Sequence, residues 1–126
     1  MPAPRDPYEG LLEPIAARHS LRLRRMFGCW GYYVDDRLVW VSAAGRPPWR
    51  GILVPTAREH HAELQRAIPA LRVHPVLGKW LYLPARHSEF EAAADTVAGL
   101  IADGDQRIGV VPPPRRGFGT RKERVA

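Results

Sequence analysis

Two runs rich in aromatic and β-branched residues, Met26 to Val34 and Arg37 to Val41, flank the pair Asp35 and Asp36. Such side chains suit a pleated surface, and Asp tolerates the positive φ that a narrow turn demands, so Arg24 to Val41 reads as a tight β-hairpin centred on the two aspartates. A two-residue loop also fixes a register. Val34 then faces Arg37, Tyr32 faces Val39, Trp30 faces Val41, and Gly31 lies opposite Trp40, whose ring is expected to cover the bare glycine backbone.

The flanking sequence supplies helices to cover this ribbon. Asp6, Pro7 and Glu9 have the spacing of a helix start, with Leu11, Leu12 and Ile15 on one face, and Pro14 predicts a kink or a restart. Ser20 to Arg24 alternates as a half-exposed strand does. Gly45 to Gly51, with Pro47 and Pro48, reads as a surface loop before a short third strand at Ile52 to Val54. Thr56 and Glu59 have capping-box spacing ahead of a helix carrying Ala57, His61, Leu64, Ala67 and Ile68, which Pro69 stops. Leu71 to His74 and Lys79 to Leu83 read as strands, joined by a bend at Val76 to Gly78. Ser88 and Glu91 form a second capping box, before an apolar stripe of Phe90, Ala93, Ala94, Val97, Leu100 and Ile101 that runs to Gly104. Ile108 to Val111 can dock as an extended segment. The order α-β(3)-α-β(2)-α describes an α+β domain, an antiparallel sheet packed by helices.

A chain of 126 residues suits one domain, expected over residues 1–111, with a Pro-rich and then basic tail over 112–126. Much of the net charge of +6 lies in that tail, where Arg115, Arg116, Arg121, Lys122 and Arg124 face a single acid, Glu123. One cysteine makes no internal bridge, the first residues lack the apolar core of a signal peptide, and no apolar run reaches membrane length. A reducing cytoplasm is the expected compartment, with no membrane partner.

Met26-Phe27-Gly28, together with Gly31, Tyr33, Asp35, Asp36 and Leu38, resembles the N-terminal domain of the TfoX/Sxy family, most clearly over residues 8–53. The resemblance implies a fold similar to the type III secretion chaperone-like arrangement. It also implies a non-enzymatic domain acting through protein contacts, with no catalytic residue to transfer. Family members are regulators associated with natural competence and carry a further helical domain that does not match here. Cys29 stands where the family often has a second Gly, and Asp36 where a turn Gly is common.

Each candidate site has a structural reading beside the chemical one. Cys29 is either a nucleophile or a small buried hydrophobe, and no positioned base supports the former. His19, His60, His61, His74 and His87 lack metal-ligand spacing and read as surface histidines, so no metal or other cofactor is expected. Asp35 and Asp36 are accounted for by the turn. Trp49 is either an exposed protein-interaction anchor or a ring folded back over the sheet. Arg116 to Gly119 opens like an RNA-recognition octamer, but Thr120 to Glu123 supply neither the second aromatic nor a strand. Arg18, Arg22, Arg24 and Arg25 extend a basic surface or guard a sheet edge from pairing.

Three function classes remain. The first is a cytoplasmic TfoX-like interaction or regulatory domain with an unidentified protein partner, and a homodimer if an apolar sheet face is left open. The second is a nucleic-acid accessory protein making weak, salt-sensitive contacts through the tail cations Arg115, Arg116, Arg121, Lys122 and Arg124. The third is an enzyme, which requires a cleft gathering titratable groups from separate segments.

Overall fold

The computed structural model describes residues 5–112; the tail cations Arg115, Arg116, Arg121, Lys122 and Arg124, and most of the expected tail, lie outside them. Six strands form one antiparallel sheet: β1 (Leu21–Met26), β2 (Cys29–Val34), β3 (Arg37–Ala44), β4 (Arg50–Val54), β5 (Arg72–Val73) and β6 (Leu81–Pro84), in the spatial order β1-β2-β3-β4-β6-β5. The helices are α1 (Glu13–Ala16), α2 (His61–Ala67) and α3 (Phe90–Ala102). The α+β class holds, but the first group has four strands rather than three. Phe27 and Gly28, at φ 53° and 74°, make a two-residue turn that splits what reads as one strand into β1 and β2. No helix among the described residues is long and apolar enough to cross a membrane.

The second hairpin turns at Asp35 and Asp36 as expected, with Val34 opposite Arg37, but its register then departs from the one a plain two-residue loop dictates. A β-bulge between Tyr32 and Tyr33 leaves Val39 as the extra residue, so Tyr32 pairs with Trp40, Gly31 with Val41 and Trp30 with Ser42. Val39 and Trp40 therefore both join the helix-side core, where Trp40 is fully buried and its Nε1 donates to Ser42 Oγ at 2.9 Å. Trp40 does not cover Gly31. The Met26 side chain does, its Cε lying 2.6 Å from where a Cβ on Gly31 would stand.

Pro14 acts as predicted. Glu9–Leu12 is a 3₁₀ turn, and the chain restarts as α1 with the proline in its first turn, where its missing N–H costs nothing. Neither capping box forms. Thr56 instead donates its hydroxyl to the Arg107 carbonyl, and Ala57 and Glu89 occupy the cap positions without side-chain bonds. His87 Nδ1 accepts the N–H of the cap residue Glu89 at 2.9 Å, just ahead of the helix. The α3 stripe is buried as expected, and the helix closes with the amides of Gly104 and Asp105 bonded back to Ile101 and Leu100.

These elements divide the core in two. Trp30, Tyr32, Trp40, Ile52, Val54, Leu81 and Leu83 face the helices, while Cys29, Tyr33, Leu38, Val41, Leu53 and Tyr82 face the opposite side. Among the described residues that second side carries no helix. Loops and the extended residues around Val110 cover it in part, with Trp49, Leu77 and Trp80 half-buried against it.

Candidate binding face of the sheet

Alternation in β6 sends Tyr82 to the helix-free face, and turns and loops at the sheet ends bring Phe27, Trp49 and His74 into a row with it. Phe27 lies 6.4 Å from Trp49 between ring centroids, Trp49 lies 4.6 Å from His74, and His74 lies 5.3 Å from Tyr82. Phe27 ends the row at the β1–β2 turn and is 69% exposed. Trp49, read from sequence as either an exposed anchor or a ring folded back over the sheet, is half-buried against the second core between Phe27 and His74.

His74 holds this row in place. Its Nε2 donates to the Pro48 carbonyl at 2.8 Å, while Nδ1 accepts the N–H groups of Val76 and Leu77 at 3.1 and 2.9 Å. Those partners fix a neutral ring, and burial pushes its pKa below the usual histidine value against the smaller opposing effect of the Pro48 carbonyl. The expectation of surface histidines fails here and at His61, also buried, whose Nε2 donates to the Lys79 carbonyl at 2.8 Å. His19 does the same to Ala102. These histidines tie loops to the sheet and helices.

Cys29 opens β2 in the buried second core, its thiol donating to the Phe27 carbonyl. Burial pushes the thiol pKa up, opposed by the Arg25 charge, so the thiol stays protonated at neutral pH. Among the described residues no cluster of three or more His, Cys, Asp or Glu could hold a metal ion. Asp35, at φ 55°, serves the hairpin turn.

Beside the aromatic row runs an open groove of about 870 Å³. Met26, Phe27, Tyr33, Leu38 and Trp80 line it, and Val110 to Pro112 form one wall. Val110 is held there by paired backbone bonds to Leu38 at 2.8 and 3.0 Å. Cations stand around the opening: Arg22, Arg24 and Arg25 from β1, and Lys79 from the loop before β6. The Arg22 guanidinium sits 4.7 Å over the Tyr33 ring, and that of Arg25 lies 4.5 Å over Trp30. Among the described residues none of these four cations has an acidic partner within 4.0 Å. Asp36 is the one acid lining the groove.

Sequence reasoning placed Arg22, Arg24 and Arg25 on one basic surface, and the fold adds Lys79 to it. Arg18 instead pairs with Asp103 at 2.6 Å, away from that group. Sequence reasoning names Phe27 only within the Met26-Phe27-Gly28 segment and not as a contact residue, because nothing marks the turn that exposes it. No family profile, curated protein or solved structure matches the chain.

Proposed function

We propose that the chain is a non-enzymatic regulatory domain of the TfoX N-terminal kind, in the type III secretion chaperone-like arrangement, working in the cytoplasm through contact with a protein partner. Phe27 carries this reading. It sits at φ 53°, where a bulky L-residue is strained by about 1–2 kcal/mol, and its ring is largely in water. Asn or Gly would make the same turn at lower cost. An aromatic that fits neither its turn nor a core is accounted for by a contact outside the chain, and Trp49 stiffens it from behind. Val76, 64% exposed on the loop that His74 pins, adds apolar surface.

The variant Phe27→Asn separates binding from folding, because Asn suits the turn. Its melting temperature is expected to equal or exceed that of the natural chain, while a partner captured by cross-linking in native lysate is lost. If light scattering shows a dimer that the substitution dissociates, the partner is a second copy of the chain. Equal capture by both proteins, or a clear loss of stability in the variant, overturns the reading.

A further inference from the structure

We infer that the groove between β1 and the Val110–Pro112 segment binds single-stranded nucleic acid. This goes beyond the protein contact assigned to Phe27, which lines one end of the same groove, and rests chiefly on the cations and Trp80. The first support is the charge. Arg22, Arg24 and Lys79 border one open groove without an acidic partner among the described residues, so their field is directed outward, while Arg25, its guanidinium over Trp30 and donating to the Gly28 and Cys29 carbonyls, adds charge beside it. The wider molecule reinforces it. The six strands carry Arg22, Arg24, Arg25, Arg37, Arg50 and Arg72 and no acid, whereas the helical segments carry Glu9, Glu13, Glu59, Glu63, Glu91 and Asp95 against Arg58 and Arg66. A polyanion approaching this dipolar surface is turned toward the sheet.

The second support is the lining. Single-strand binding surfaces combine cations that track the phosphates with rings on which bases stack, and this groove has both within a few residues of each other. Trp80 is half-buried along it, Phe27 stands exposed at one end, and Arg22 lies over the buried Tyr33 as a planar cation on a planar ring. An acidic peptide would satisfy the cations and leave the rings without a role. Duplex DNA keeps its bases paired and stacked, so it too would use the charge alone. The third support is continuity: the chain leaves the groove wall at Pro112 and then carries Arg115, Arg116, Arg121, Lys122 and Arg124. Their charge has the same sign as the groove, so an anion bound there is attracted by both.

The test uses the full chain and fluorescence anisotropy with a labelled oligothymidine of about 15 nucleotides, within the range of single-strand site sizes. The natural protein is expected to bind it with an affinity that falls as salt rises. The triple variant Arg22→Gln/Arg24→Gln/Lys79→Gln is expected to bind at least ~10-fold more weakly, with a log–log salt slope smaller by about 2. These side chains are exposed, and an unchanged melting temperature verifies that the variant is folded. Intrinsic tryptophan emission should be quenched by the oligonucleotide, and less so in Trp80→Phe. Four results overturn the inference: no binding at low salt, equal binding by the triple variant, equal affinity for a duplex of the same length, or equal affinity for polyglutamate. If neutralising the five tail cations abolishes binding while the triple variant keeps it, the tail is the site and the groove is not. The triple variant keeps Phe27 and should capture a lysate partner as the natural chain does, so failure of either proposal is visible separately.

Discussion

At the scale of single residues, His74 ties two loops together through one neutral ring. Its Nδ1 accepts two backbone N–H groups, an arrangement that protonation would destroy. The ring's pKa is lowered in the folded chain, so below about pH 6.5 the unfolded chain takes up a proton that the folded one refuses. Stability is therefore fully present above that pH and is lost as pH falls toward the folded value, with a limiting slope of about 1.4 kcal/mol per pH unit for one group. Tyr82, the titratable ring beside it, has its hydroxyl bonded to the Arg50 carbonyl and its pKa raised by burial, so it adds nothing in this range. Urea midpoints at about pH 7.5 and about pH 5 should differ more for the natural chain than for His74→Gln. Equal differences would locate the acid sensitivity elsewhere. Nothing in the sequence around His74 separates it from the other four histidines, because its partners at Pro48 and Tyr82 come from segments that only the fold brings together.

Secondary-structure elements were legible where one local rule governed them, and illegible where two competed. Pro14 and the α3 stripe gave correct boundaries because nothing opposed the proline ring or the 3.6-residue period. The β1–β2 turn was hidden because Phe is a poor turn residue, so Arg24 to Val34 reads as one strand. The bulge was hidden because alternation alone cannot reveal that Trp40 gains a buried hydrogen bond by changing faces. Gly51 is a similar case within β4. It lies at φ 135°, and a Cβ there would overlap the Leu83 carbonyl oxygen and stand 2.8 Å from the Ala85 nitrogen, both backbone atoms of the adjoining β6 segment. Gly51→Ala should therefore cost about 3 kcal/mol or more, as strain and overlap add. Gly31→Ala meets chiefly the flexible end of Met26 and should cost about 1 kcal/mol. Comparable denaturation midpoints for the two variants would contradict this account of the β4–β6 junction.

For the molecule as a whole, the segment after α3 decides whether the helix-free face has a groove at all. Thr56 bonds the Arg107 carbonyl, Gly109 donates to the Pro55 carbonyl at 2.7 Å, and Val110 exchanges backbone bonds with Leu38. Arg37 reaches across with one guanidinium nitrogen 3.0 Å from both the Ile108 and Gly109 carbonyls. This strap crosses from the helix side to the other face and stands as the wall opposite the arginines of β1. It is held largely by hydrogen bonds at half-exposed positions, whereas α3 is held by buried apolar packing, so the strap should open without the rest of the fold. Arg37→Ala removes both charged hydrogen bonds and should speed amide exchange at Val110 about tenfold, equivalent to about 1.4 kcal/mol of local stability. Exchange within α3, for example at Val97, reports global unfolding and should change much less. An equal loss of protection at Val97 would mean that strap and core open together, and the groove wall would then be as permanent as the sheet it borders.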